Sequence, residues 1–102
     1  MKLFKLEKTN CAPCKMADAN LKNHYGVELD KDNKINLNQN PDIAMKLQIM
    51  QAPTFLLLSK DVSLAELKKM TKQDIDAITV TMYSGVGISR LGEILEDAGL
   101  LS

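Results

Sequence analysis

The sequence predicts an α/β domain: a mixed sheet of four strands with helices on both faces. Three observations carry that expectation. Apolar residues alternate over short stretches and recur at helical spacing between them, in the order β-α-β-α-β-(α)-β-α. The opening strand, helix, strand unit requires a right-handed crossover and so a parallel strand pair, while the later strands can return antiparallel. A chain of 102 residues is long enough for one core and not for two, so residues 1–102 are read as a single domain.

Taken in order, KLFKLEK (2–8) carries Leu3, Phe4 and Leu6 and is short enough for a first strand. TNCAPCKMADANLKNHYG follows. Thr9 or Asn10 can cap a helix there, and Pro13 is tolerated in the first turn, where a missing N–H costs little. Ala17, Leu21 and either His24 or Tyr25 continue one face, and Gly26 ends the helix. KINLN alternates Ile35 and Leu37 as a second strand. In NPDIAMKLQIM, Asn40 caps, Pro41 takes the first helical position, and Ile43, Leu47 and Met50 line one face. PTFLLL is a continuous apolar run that suits a strand buried on both faces.

The segment 60–77 is read as an inserted, helical connector. Ser63 to Glu66 forms a capping box, and Leu64, Leu67 and Met70 make a short stripe that a core would cover. AITVTMY (77–83) is rich in β-branched residues and reads as the last strand, broken by SGVG. ISRLGEILEDAGLL closes the chain as an amphipathic helix with Ile88, Leu91, Ile94 and Leu95 on one side. Met16, Met45, Met50, Met70 and Met82 fall inside apolar patterns and are read as core filling.

Composition excludes several functions. Lys plus Arg balance Asp plus Glu at 13 each, and the lysines are scattered, so no field favours nucleic acid or an anionic membrane as partner. No run of about 18 apolar residues exists to span a bilayer. The start, MKLFKLEKTNC, lacks the apolar run of a secretory signal and alternates like a strand, which points to the cytoplasm. Thiols are kept reduced there, and a static disulfide would be unusual. A bond closing so short a loop would also stabilise the fold only weakly.

The chain has two cysteines, in TNCAPCKM. Cys11 falls at the junction of the first strand and first helix, and Cys14 lies one turn further in. A thiolate at a helix N-terminus faces unpaired N–H groups and the positive end of the dipole, so its charged form is favoured. Cys11 is therefore the expected exposed nucleophile. Cys14, deeper, is expected to resolve the mixed disulfide by attacking Cys11. C-x-x-C is also half of a zinc site, but four ligands are normally needed and His24 is the other strong soft-metal ligand. No metal is assigned, although a site shared across a dimer stays open.

INLNQNPDIAMKLQIMQAPTFLLL closely resembles the corresponding segment of thioredoxins: a strand, an Asn- and Gln-rich turn, a proline-started helix, then Pro-Thr and an apolar strand. NCAPCKM is similar to their active-site segment, with Ala in place of the usual first Gly. The resemblance covers residues 2–58, and YSGVGISRLGEIL is similar to the last strand, turn and helix. It implies a thioredoxin-like fold in which Pro53 is a cis-proline lying against the cysteines. The backbone of Ala52 would then pair with an extended substrate segment like an added strand. Ala12 and Pro13, between the cysteines, would face the substrate, and Pro13 matches the residue type of reducing thioredoxins. The implied protein is a thiol-disulfide oxidoreductase that reduces disulfide-containing proteins as a monomer, with no cofactor of its own. A thioredoxin-reductase-type flavoenzyme would re-reduce it.

The departures are informative. Thioredoxins often place a buried Asp six residues before the first cysteine, as proton acceptor for the resolving thiol; here the residue is Lys5. Lys34 matches the lysine that accompanies that Asp. Water or Glu7 are the candidate acceptors. The Trp common before the first cysteine is Asn10. In size and start the chain is closer to glutaredoxins, which lack the extra N-terminal strand and helix. Yet glutaredoxins usually carry Val before the cis-proline and a Gly-Gly pair after the third strand, whereas this chain has QAPT and no such pair. The connector 60–77 replaces a tight turn and is long for a hairpin, either covering a sheet end or contacting a partner. Two alternatives follow: a glutaredoxin-like, glutathione-dependent reductant, and a non-catalytic binding module on the same fold.

Overall fold

In a computed structural model that describes residues 1–101, KLFKLE becomes β1 (Lys2–Glu7) and the cysteine segment opens α1 (Ala12–Tyr25). A 3₁₀ turn (Lys31–Asn33) leads into β2 (Lys34–Asn36), followed by α2 (Pro41–Leu47) and β3 (Thr54–Leu58). Two short helices, α3 (Leu64–Lys69) and α4 (Lys72–Ile78), precede β4 (Thr79–Ser84) and α5 (Ile88–Asp97).

The sheet is the expected mixed one, with four strands ordered β2-β1-β3-β4. β1 and β2 run parallel, with Lys5 opposite Lys34 and Glu7 opposite Asn36. β3 lies antiparallel to β1, with Leu3 opposite Leu57 and Lys5 opposite Phe55, and antiparallel to β4, with Phe55 opposite Tyr83. Alternation along the strands divides the core in two. Leu3, Phe55 and Leu57 meet Ala17 and Leu21 of α1 and Leu91, Ile94 and Leu95 of α5. On the other face, Phe4, Leu6, Leu56 and Leu58 meet Ile43 and Leu47 of α2, Leu67 of α3 and Ile75 of α4. Every residue of β3 is buried, which is why TFLLL shows no alternation.

Several expectations need correction. The cap of α1 is Cys11 itself, not Thr9 or Asn10. The connector forms two helices rather than one, each opened by a complete capping box, Ser63 with Glu66 and Thr71 with Asp74. The second box carries helix through Ala77 and Ile78, so the last strand begins at Thr79. The methionines are mostly not core: Met16, Met45, Met50 and Met82 are 54%, 79%, 86% and 52% exposed. Met50 leaves the stripe of Ile43 and Leu47 because α2 stops at Leu47 and Gln48 turns left-handed, with φ 54°, breaking the register. Ile88, at the first turn of α5, points partly to solvent while Leu91, Ile94 and Leu95 are buried.

Gly26 ends α1 as read, with φ 66°, and its N–H is taken up by the Lys22 carbonyl at 2.9 Å. Among the described residues, no helix is long and apolar enough to cross a membrane.

Candidate active site

The segment between β1 and α1 must reverse direction and deliver Cys11 to the helix start. Asn10 makes the turn, with φ 55°, a left-handed conformation that Asn adopts more readily than most side chains. The Asn-rich stretch after β2 braces it. Thr9 donates its N–H to Asn38 Oδ1 at 2.7 Å, and Asn36 Nδ2 donates to Thr9 Oγ1 at 3.2 Å. Asn36 Oδ1 also accepts the N–H groups of Asn38 and Gln39, at 2.8 and 3.2 Å. Asn40 Nδ2 donates to the Asn36 carbonyl at 2.8 Å instead of capping α2 through its side chain. These braces were not singled out from sequence. The signal available was NLNQN, directly after a strand expected to lie beside the first.

Cys11 and Cys14 are disulfide-bonded, with Cα atoms 5.2 Å apart. Cys11 Sγ also accepts the N–H of Cys14 at 3.1 Å, so the sulfur occupies the place where a capping oxygen would sit. The two sulfurs differ in access. Cys14, in the first turn of α1, is 3% exposed, while Cys11 is half-buried and Ala12 and Pro13 stand exposed between them. Pro13 is accommodated in the first turn.

The loop before β3 completes the site. The Ala52–Pro53 peptide bond is cis, and the Ala52 carbonyl oxygen lies 3.9 Å from Cys11 Sγ. Pro53 is buried and Ala52 half-buried. Thr54, 1% exposed, anchors the loop: its hydroxyl donates to the Gln51 carbonyl at 2.7 Å and lies 2.7 Å from the Ser84 hydroxyl. The Pro53 carbonyl accepts the N–H of Gly85 at 3.1 Å. Gly85 has φ 150°, a conformation that L side chains rarely adopt, and a Cβ there would come within 2.6 Å of the Tyr83 hydroxyl, so a substitution would strain the backbone and displace that ring. The structure thus sets Cys11 against Ala52, beside the cis bond to Pro53, with Ala12 and Pro13 exposed between the two cysteines.

Beneath α1 lies a charged cluster. Lys5 is fully buried, and its Nζ donates to Glu7 Oε2 at 2.5 Å and to Asp18 Oδ1 at 3.0 Å. Lys34 reaches the other Asp18 oxygen at 3.2 Å. Asp18 was not named from sequence, although its place one helical turn after Cys14 was a usable sign. Among the described residues, no group of three or more His, Cys, Asp or Glu side chains converges as metal ligands would, and His24 is exposed.

No family model matches the chain. It is 34% identical over 59 residues to the SPbeta prophage-derived thioredoxin-like protein YosR of Bacillus subtilis (strain 168), a stretch covering 58% of this chain and 69% of that protein. Among solved structures it superposes on thioredoxin f2 of Chlamydomonas reinhardtii with a TM-score of 0.58 at 20% identity, covering 98% of this chain and 80% of that one. For mitochondrial thioredoxin 3 of Saccharomyces cerevisiae in its oxidised form the TM-score is 0.56 at 21% identity, covering 93% and 76%. The sheet and flanking helices are those of the thioredoxin fold. With the relative just described, the chain belongs to the thioredoxin-like family. That fold with its paired cysteines supports thiol-disulfide oxidoreductase chemistry in general.

Proposed function

We propose that the protein reduces disulfides in protein targets, with Cys11 as nucleophile and Cys14 as resolving thiol. The observation that carries this reading is the unequal placement of the two sulfurs. Cys11 sits at the mouth of α1 against the Ala52 carbonyl, and Cys14 is shielded beneath it.

The reaction is a pair of thiolate displacements. The Cys11 thiolate attacks one sulfur of a target disulfide; that bond breaks, and the first target sulfur leaves as a thiolate that takes up a proton. A mixed disulfide now joins Cys11 to the target. The Cys14 thiolate attacks Cys11 Sγ, the second target sulfur leaves, and the Cys11–Cys14 disulfide remains. Donors at the helix N-terminus favour the attacking thiolate. Ala52 would offer its backbone to an extended client segment beside Pro53, and Ala12 and Pro13 would contact it. A thioredoxin-reductase-type flavoenzyme would return two electrons, with the protein acting as a cytoplasmic monomer.

Reduction of insulin in the presence of dithiothreitol tests this. The wild-type protein accelerates precipitation of the insulin chains, Cys11→Ser abolishes the acceleration, and Cys14→Ser accumulates a mixed disulfide visible by mass spectrometry. A Cys11→Ser protein as active as wild type would refute the mechanism. Turnover with a thioredoxin reductase, compared with turnover with glutathione, separates this reading from a glutaredoxin-like one.

A non-catalytic binding module is the second reading, favoured by Asn10 and Lys5 at positions where thioredoxins often carry Trp and Asp. A Cys11 titration midpoint at the ordinary thiol value of about 8.5 supports the module; a clearly lower midpoint supports the reductase.

A further inference from the structure

Lys5 is a fully buried charged side chain, and nothing in the reaction above uses it. An ammonium taken out of water is costly unless paired, and this one is paired twice, to Glu7 and Asp18. Its place is specific. Lys5 lies on the sheet face that meets α1, between Lys34 of β2 and Phe55 of β3. Its partner Asp18 follows Cys14 by one turn on α1, so the two share a row along the helix. The ammonium therefore sits below the first turns of the helix that carries the shielded thiol.

The charges around it differ in wetness. Glu7 is 23% exposed, Asp18 39% and Lys34 30%, whereas Lys5 is 0% exposed. Water screens the two carboxylates and Lys34, while the field of the dry cation acts inside the protein with less attenuation. The pairs hold Lys5 in place beneath α1.

We propose that Lys5 is a positioning residue for the resolving step, its buried ammonium stabilising the Cys14 thiolate that attacks the mixed disulfide. The inference rests on Cys14 being the resolving thiol. In that step Cys14 gives its proton to solvent, the Cys14–Cys11 bond forms, the Cys11–target bond breaks, and the target sulfur departs as a thiolate. The cation lowers the free energy of the attacking anion and takes no part in bond making.

Fully reduced protein mixed with one equivalent of 5,5′-dithiobis(2-nitrobenzoate) releases coloured thionitrobenzoate in two phases. The first reports attack by Cys11, and the second reports displacement by Cys14. In Lys5→Met the second phase is expected to slow roughly tenfold at neutral pH and its pH midpoint to rise by about one unit. Lys5→Arg retains the faster second phase. Lys5→Met leaves Glu7 without its cation and Asp18 paired to Lys34 alone, and loses stability, so a triple variant, Lys5→Met with Glu7→Gln and Asp18→Asn, removes the cation together with both carboxylates. The triple variant is expected to regain stability while its second phase stays slow. A wild-type pH midpoint for the second phase in the triple variant would overturn the proposal, because the cluster would then be a packing device only. A wild-type protein without a first phase would sink the reductase reading and this inference with it.

Discussion

Asn10 shows how a residue type answers a backbone demand. The turn into α1 requires φ 55°, and a β-branched side chain in that region clashes with its own backbone. Asn10→Val is therefore expected to cost about 1–2 kcal/mol in urea unfolding, while Asn10→Gly stays within about 0.5 kcal/mol of wild type. Equal losses for the two substitutions would mean that the Asn side chain matters rather than its backbone. At this scale the sequence was legible where chemistry lies in the residue itself: two cysteines, a proline in the first turn, a proline before a buried strand. It was not legible where a residue matters through a partner brought near by folding. Asn36 and Asn38 brace Thr9 from across the β1–β2 junction, and Asp18 joins Lys5 across the gap between helix and sheet. No local pattern marks such a pair.

The connector shows rules in competition between elements. Both SLAE and TKQD have the residues of a capping box, but the second is followed by AITVTMY, whose β-branched run argues for strand. The helix wins as far as Ile78 because the box at Thr71 and Asp74 supplies two of the four orphan N–H groups their partners, and because Ile75 gains a fully buried place in the core. Strand takes over at Thr79, where pairing with β3 begins. Ser63→Ala and Thr71→Ala are each expected to cost about 1 kcal/mol by thermal or urea unfolding. The costs should nearly add, since each box satisfies its own helix. A negligible loss at Thr71 would mean that packing of Ile75 alone fixes α4.

Across the whole molecule, β3 carries both cores, and its burial was readable because covering on two faces leaves a signature in TFLLL, whereas the strand order β2-β1-β3-β4 was not. Exposure of the methionines was not readable, since an apolar residue inside a helical pattern looks the same whether the helix continues or stops. The structure gives those residues a different meaning. Met16 follows Cys14 on α1, and Met50 lies on the loop that delivers Ala52 and Pro53, both largely in solvent. A flexible, polarisable side chain in solvent suits contact with varied client segments, whereas a core filler would be fixed by its neighbours. The two roles differ in what a charge would do. Met50→Glu in a core position would bury an unpaired carboxylate and unfold the domain. At 86% exposure it is expected to change stability by no more than about 0.5 kcal/mol. If Met50 contacts the client under the proposed function, its effect should fall on insulin reduction instead, as a raised KM with kcat nearly unchanged, since such a contact would hold the client and not the reacting sulfurs. Unfolding at low urea would restore Met50 to the core, and unchanged KM with unchanged stability would remove it from the client surface.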